Sequence, residues 1–540
     1  MTSASKNSKR VLAVVAGSAA FALALTGCQA GGDSGGGGSE SLIVGTTDKV
    51  TFLDPAGSYD NGSFAVMNQV FPFLLNSPLG TSDVEPDIAE SAEYTSDDEY
   101  TVVLKSGLKF ANGNDLTSSD VKFSFDRQVA ISDENGPAVL LGNIESVDAV
   151  DDTTVVFNLK NGNDQTFAQI LSSPAAPIVD EEVFSADSVT PDDVIVDGNA
   201  FAGQYVIDSY DFNNIVSFKA NPDYQGVLGA AATDSITLKY YTDASNLKLD
   251  VQEGNIDVAH RSLSATDVAD LEDNDNVNVI VGPGGEIRYI VFNFDTQPFG
   301  AKTPEADEAK SLAVRGAVAD LLDRQEISDQ VYKGTYLPLY SYVPDGLTGA
   351  TQVLKDLYGD GDGGPSTEAA QKRLADAGVE TPVKLNLQYN PDHYGESSGD
   401  EYALVKSQLE ADGIFEVNLQ STEWVTYAKE RTADAYPAYQ LGWFPDYSDA
   451  DNYLTPFFGE GNFLANHYAD AEVNDLIVAQ ATELDPATRE GMIEEIQAKV
   501  AAELSTVPFL QGAQIAVTGK DVTGATLDGS FKFRYGSLAK

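Results

Sequence analysis

Residues 97–125, DDEYTVVLKSGLKFANGNDLTSSDVKFSF, contain a strand, a loop and a helix start in one short run. Tyr100–Leu104 is rich in β-branched residues and flanked by Asp and Gly, which is the composition of a strand. Thr117-Ser118-Ser119-Asp120 is a capping box: the Thr117 hydroxyl takes a free amide of the first turn while Asp120 reaches back, so a helix is predicted to begin at Ser118. Working outward, Leu42–Gly45 reads as an opening strand and Thr153–Leu159 (TTVVFNL) as another. Leu53-Asp54-Pro55 ends an extended stretch ahead of a polar loop, Gly57–Gly62. Val314, Ala317, Val318, Leu321 and Leu322 fall on one face of a predicted helix, and Asp323–Glu326 restarts one. Asp485-Pro486 supplies an N-cap and an N1 proline before Met492, Ile493, Ile496 and Val500. Short strands interleaved with helices along the whole length predict α/β lobes rather than a sandwich or a bundle.

The chain has 540 residues and a formal net charge of −52. That balance excludes a nucleic-acid binder working through general basicity, because neutralising phosphates needs clustered Lys and Arg. At roughly 150 residues per domain the length suggests about three domains. Apolar residues make up 42% of the chain, enough for a sizeable core despite the charge. A single cysteine, Cys28, excludes a disulfide framework, a thiolate zinc site and an iron–sulfur cluster.

Residues 1–10 carry Lys6, Lys9 and Arg10 and no acid, and Val11–Leu25 carries no charge. A basic start followed by an apolar stretch shorter than the roughly 20 residues of a spanning helix is a secretory signal. Leu25-Thr26-Gly27-Cys28 resembles the bacterial lipobox, in which the cysteine is acylated and becomes the first residue of the mature chain. The Gly/Ser run that follows is a flexible tether able to hold a domain off a membrane. No later segment of the sequence is apolar enough to span.

The order of motifs resembles the dipeptide/oligopeptide-binding family of extracytoplasmic solute-binding proteins, the ligand-capturing subunits of ATP-driven importers. Leu53-Asp54-Pro55 matches the family's opening turn. Pro86-Asp87-Ile88-Ala89-Glu90-Ser91 and the run through Phe125 match its "P-x-L-A-E-S … Y-T-x-x-L-K-x-G-x-K-F … L-T-A-x-D-V-x-F-S-F" block. Asn221–Tyr224, Leu249–Ala259, Tyr289–Asn293 and Val314–Arg324 match later blocks. The "G-T-G-P-Y" block is degraded to Phe201-Ala202-Gly203-Gln204-Tyr205.

The resemblance implies a two-lobed periplasmic-binding-protein-like α/β fold with an extra domain inserted in the first lobe. Its expected parts are a signal peptide (1–27), a tether (28–41), lobe I (42–60, 198–290 and 505–540), the inserted domain (61–197) and lobe II (291–504). Hinge strands are expected near Tyr289–Asn293 and Ser505–Phe509. It also implies a ligand site at Gly442-Trp443-Phe444-Pro445-Asp446-Tyr447, with Asp446 pairing with a peptide's α-ammonium as a charge-assisted bond in a closing cleft. The backbone from Leu441 to Phe444 would pair with the peptide main chain, and the loop Tyr59–Asn61 would face it from the first lobe. Asp449 and Asp451 lie close enough in sequence to compete with Asp446. Gln440 stands where some members carry an arginine, leaving the partner of the ligand's C-terminus unassigned.

Other chemistry is thin. His260, His393 and His467 are far apart in sequence without ligand spacing, and no metal site is expected. Tyr358–Pro365 looks like a cation loop but lacks the twelfth-position acid of an EF-hand. No G-x-S-x-G or H-E-x-x-H motif occurs, so neither catalysis nor a cofactor is expected. The expected protein is a monomeric lipoprotein held on the outer side of a cell membrane through acylated Cys28. It captures short peptides and delivers them to the permease and ATPase subunits of an ABC transporter. The same fold could take an oligosaccharide, stacking it on Trp443 and Trp424, or a nickel complex; a secreted hydrolase is the alternative from another class.

Overall fold

The computed structural model describes residues 41–540 except Glu134, Ser262, Asp392, Gly395 and Glu396; the signal segment, Cys28 and nearly all of the tether lie outside the described residues. The main sheet runs Phe415–Ser421, Val383–Tyr389, Ala438–Trp443, Val277–Phe292, Thr506–Gly519, Val258–His260, Leu42–Thr46, Ser235–Tyr240, Ile215–Ala220 and Tyr205–Asp211, with Tyr336–Pro338 added beside Thr506–Gly519. Mixed pairing along this order, parallel at Leu42–Thr46 and antiparallel at the two long central strands, is that of a two-lobed α/β fold.

Two apolar cores sit at opposite ends of the sheet. One gathers Tyr289–Phe292, Val314, Leu385, Tyr439 and Val507. The other gathers Leu42, Val44, Val70, Tyr205 and Ile236. Val277–Phe292 and Thr506–Gly519 run from one region to the other as antiparallel partners. Their register breaks between Pro283 and Ile287, where Gly284 lies so close to Gly512 that a Cβ on it would come within 1.8 Å of the Gly512 carbonyl oxygen. Only glycine lets the two backbones meet there.

A separate four-stranded antiparallel sheet, Ala89–Tyr94, Glu99–Leu104, Thr154–Leu159 and Ile144–Asp151, builds a third core with the helix Ser118–Ile131. That helix begins at the predicted residue, and both arms of the box are made: Ser119 N–H donates to Thr117 Oγ1 (3.2 Å) and Thr117 N–H to Asp120 Oδ2 (2.8 Å). The predicted start at Asp485-Pro486 also holds, opening Pro486–Glu503. The polar loop expected over Gly57–Gly62 is shorter than its composition suggests. Asp60 accepts from Ser63 N–H at 2.8 Å and caps a helix that starts at Asn61.

The Leu-Asp-Pro turn ties these parts together. Asp54 is fully buried and takes both Nη atoms of Arg127 (2.9 and 2.8 Å), together with the amides of Ala56 (2.9 Å) and Thr190 (2.6 Å). A buried pair with all its hydrogen bonds satisfied is worth little net, but removing one partner strands the other. Among the described residues no helix is long and apolar enough to cross a membrane.

Candidate functional site

Ala438–Trp443 ends in the sheet with Trp443 opposite Ile287, and the chain leaves it as Phe444–Ser448 just where the Val277–Phe292 strand breaks register. Gly285 makes room for this exit, since a Cβ there would lie 2.4 Å from Pro445 and 2.7 Å from Phe531. Asn452, on the following helix, pins the loop: its Oδ1 accepts from Asp446 N–H (2.8 Å) and Trp443 Nε1–H (3.0 Å), and its Nδ2 donates to Asp446 Oδ2 (3.1 Å). The loop borders a cavity of about 450 Å³ that also takes in Asn61, His260, Glu286, Tyr336 and Lys532. That volume is in the range of small-molecule sites, roughly 300–1,000 Å³.

Asp446 carries the chemistry of this wall. Burial pushes its carboxyl up to about 6 although Asn452 holds it from the side. The Tyr59 hydroxyl donates to the other oxygen, Oδ1. Both donors are neutral, and no ion pair to Asp446 forms among the described residues. A carboxylate so placed is a strong hydrogen-bond acceptor, and its charge is disfavoured by burial.

The two neighbouring aspartates are already committed. Asp449 makes a bidentate pair with Arg489 (2.8 and 2.7 Å). Asp451 is buried, bonded by Thr455 Oγ1–H (2.5 Å) and Gln480, and pushed up to about 6 by burial with Asp449 beside it. Neither lines the cavity.

Phe444, 42% exposed, and Tyr447 line the cavity with Asp446, as does Asn61, while Tyr59 reaches Asp446. Leu441, Gly442 and Trp443 do not line it. Leu441 and Gly442 are buried in the sheet, paired with Tyr289 and Arg288, and the Gly442 carbonyl accepts from Tyr394 Oη–H at 3.2 Å. The close approach that keeps position 442 a glycine is to the Ile287 carbonyl and the Tyr394 ring, both 2.9 Å from where a Cβ would sit. At Leu441 and Gly442 the strand is paired along its Val277–Phe292 edge, while its pairing with Val383–Tyr389 on the other edge involves Ala438 and Tyr439. Trp443 packs its ring on Phe457 and Phe463, and Trp424 stacks on His393 at 3.8 Å, so neither tryptophan faces the cavity.

Several cavity residues escaped the sequence reading. Glu286 accepts from Tyr336 Oη–H (2.5 Å) and pairs with Arg288 (3.0 Å). His260 stacks on Phe533 at 4.1 Å, and burial, with Arg261 adjacent, pushes its imidazole down to about 3. Arg261 pairs with Asp48 at 3.0 Å. Outside the cavity, His467 lies against Asp434 (2.6 Å) and Asp295 (3.3 Å), three groups whose ligand atoms all fall within 4.8 Å of one another. Spacing alone had set His467 apart from any such cluster. The Lys302 ammonium, 2.6 Å from Asp295, already supplies a cation there.

Residues 83–464 match the model of the bacterial extracellular solute-binding proteins, family 5 Middle. The chain belongs to that family. A probable D,D-dipeptide-binding periplasmic protein of Escherichia coli (strain K12) is 24% identical over 503 residues, covering 90% of this family 5 protein and 91% of that one. Heme-binding protein A of Haemophilus influenzae is 25% identical over 424 residues, covering 74% and 73%. Among solved structures, HbpA2 from Haemophilus parasuis superposes with a TM-score of 0.79 at 22% identity over 92% of this chain and 99% of its own. A dipeptide-binding protein from Pseudoalteromonas sp. SM9913 in complex with Met-Leu gives 0.69 at 20% identity over 93% and 100%. These structural likenesses establish the two-lobed fold. The family's members are extracellular binding proteins rather than enzymes.

Proposed function

We propose that this family 5 protein captures short peptides between its lobes, seats their α-ammonium on Asp446, and delivers them to the permease and ATPase subunits of an ABC importer. The observation that carries the reading is Asp446 itself: a carboxylate raised to about 6 by burial, lining a cavity of ligand size, and held only by neutral donors. An ammonium entering the cavity displaces the Tyr59 hydroxyl and repays the desolvation of the carboxylate. Phe444 and Tyr447 supply apolar surface beside it. Peptide-binding relatives support the ligand class, and the packing of both tryptophans away from the cavity speaks against a sugar stacked on them.

In this reading lobe I is 42–60, 198–290 and 505–540, the inserted domain 61–197 and lobe II 291–504, and the protein acts as a monomer. The lobes close about the paired long strands, whose register break at Pro283–Ile287 borders the cavity. Residues 1–27 direct export, Cys28 is acylated and anchors the chain in the membrane, and the Gly/Ser run lets the body reach a permease. The −52 charge, made three units more negative by cleavage, favours capture of cationic peptides at low salt.

The test is Asp446→Asn. Its affinity for free-amine peptides should fall at least about thirtyfold, the lower end for losing one partner of a desolvated charge pair, while N-acetylated peptides bind as before. Equal loss for both forms would remove the amine-pairing role.

A further inference from the structure

Val277–Phe292 and Ala438–Trp443 run antiparallel, with Ile287 opposite Trp443 at the cavity end and Phe292 opposite Ala438 at the far end. Just beyond that far end three segments bring charged groups together. Asp295 follows the first strand, Asp434 precedes the second, and His467 comes from a third segment. None of the three lines the cavity.

Their atoms are spaced for a small ion. His467 Nε2 lies 3.3 Å from Asp295 Oδ2 and 2.6 Å from Asp434 Oδ1. Ligand atoms about 2.0–2.1 Å from a tetrahedral zinc sit about 3.3 Å apart, so the first separation fits as it stands and the second needs to open by about 0.7 Å. Buried amides set the ligands in place. Asn293, fully buried, accepts from Asp295 N–H (3.0 Å) and donates to Asp434 Oδ1 (2.8 Å). Asn466, the residue before His467, donates to Phe292 O and Ser505 Oγ, both at 3.0 Å. Partners of this kind orient metal ligands and raise affinity.

The cluster also holds a cation, since Lys302 Nζ lies 2.6 Å from Asp295 Oδ2 and 4.0 Å from Asp434 Oδ2. That side chain is 66% exposed, and its flexible stem lets the ammonium swing into water without disturbing the core. One ammonium faces two carboxylates, whose charge a divalent ion matches in full.

We propose that Asp295, Asp434 and His467 form a site for a divalent transition metal of the zinc type, with Lys302 as the cation it displaces. The metal takes the place of the hydrogen on His467 Nε2. The neutral ring then carries its single proton on Nδ1 and the ammonium keeps its own, so no proton is gained or lost. An imidazole nitrogen beside two carboxylate oxygens favours zinc over calcium or magnesium, which take oxygen ligands. His467 is partly exposed, which leaves the fourth position to water. Bound there, the ion staples three segments at the start of the strand that leads to Asp446, in a chain whose single cysteine rules out an internal disulfide.

The test uses the full chain in detergent, purified without a histidine tag and freed of metal by EDTA and dialysis. Titration calorimetry with Zn²⁺ should show one saturable site for which equal Ca²⁺ does not compete. His467→Ala and Asp434→Asn should each weaken it by at least about tenfold, the lower end even for groups that only support a ligand. Lys302→Met should tighten it by about two- to fivefold, the gain from removing an exposed competing ion pair. Zn²⁺ should raise the melting temperature of wild type and not of His467→Ala, and zinc X-ray absorption should show one imidazole. No saturable Zn²⁺ site in wild type overturns the assignment. So does a site that His467→Ala leaves unweakened, one that Ca²⁺ fills equally well, or one that Lys302→Met leaves unchanged or weaker.

Discussion

Lowering the pH should weaken the grip on a peptide's amine before it unfolds the protein. Asp446 titrates at about 6 in the ligand-free cleft because burial disfavours its charge. Only the carboxylate pairs with an ammonium, so affinity must fall as pH drops through 6 and level off above it. At pH 4.5 about one free site in 30 is ionised, a loss of roughly thirtyfold or about 2 kcal/mol. Isothermal titration calorimetry of one free-amine peptide from pH 4.5 to 7.5 reads this directly. Binding below pH 6 should also release a proton, seen as a dependence of the heat on buffer ionisation enthalpy. Asp451 also sits near 6, so Asp446→Asn is the control that assigns the slope. A flat wild-type profile, or an unchanged slope in the variant, refutes the reasoning.

In the ligand-free state Asp446→Asn should stabilise. The native value lies about two units above the ordinary 3.8, which at about 1.4 kcal/mol per unit, reduced for the partial exposure of the side chain, gives about 1–2 kcal/mol. Burial penalises the charged form, so the advantage is full above pH 6 and gone below about 4; urea unfolding at pH 7 and pH 4 checks both size and sign. Asp54→Ala leaves Arg127 buried without its counter-ion and should cost about 3–5 kcal/mol by the same measurement. Cys28→Ser should move the protein from the membrane to the soluble fraction in cells, whereas an unchanged distribution would remove the anchor.

Local signals were readable in advance. Hydroxyl and carboxylate spacing at Thr117–Asp120 and the Asp485-Pro486 pair locate helix starts because capping depends on three or four adjacent residues. Asp446 was readable through its motif, yet its isolation from cations depends on Arg489 choosing Asp449, forty positions away. Leu441 and Gly442 show the limit of a strand pattern, which gives the element without saying which neighbour takes its edge. Lys532 carried no signal at all, since it joins the cavity wall only after residues 76, 172 and 532 meet.

The most direct measurement is the identity of what the protein holds. Purified from its host under non-denaturing conditions and analysed by native mass spectrometry, the chain should carry short peptides with unblocked amino termini, released intact on denaturation. A bound saccharide, haem or metal complex, or peptides cleaved during incubation, would contradict the account.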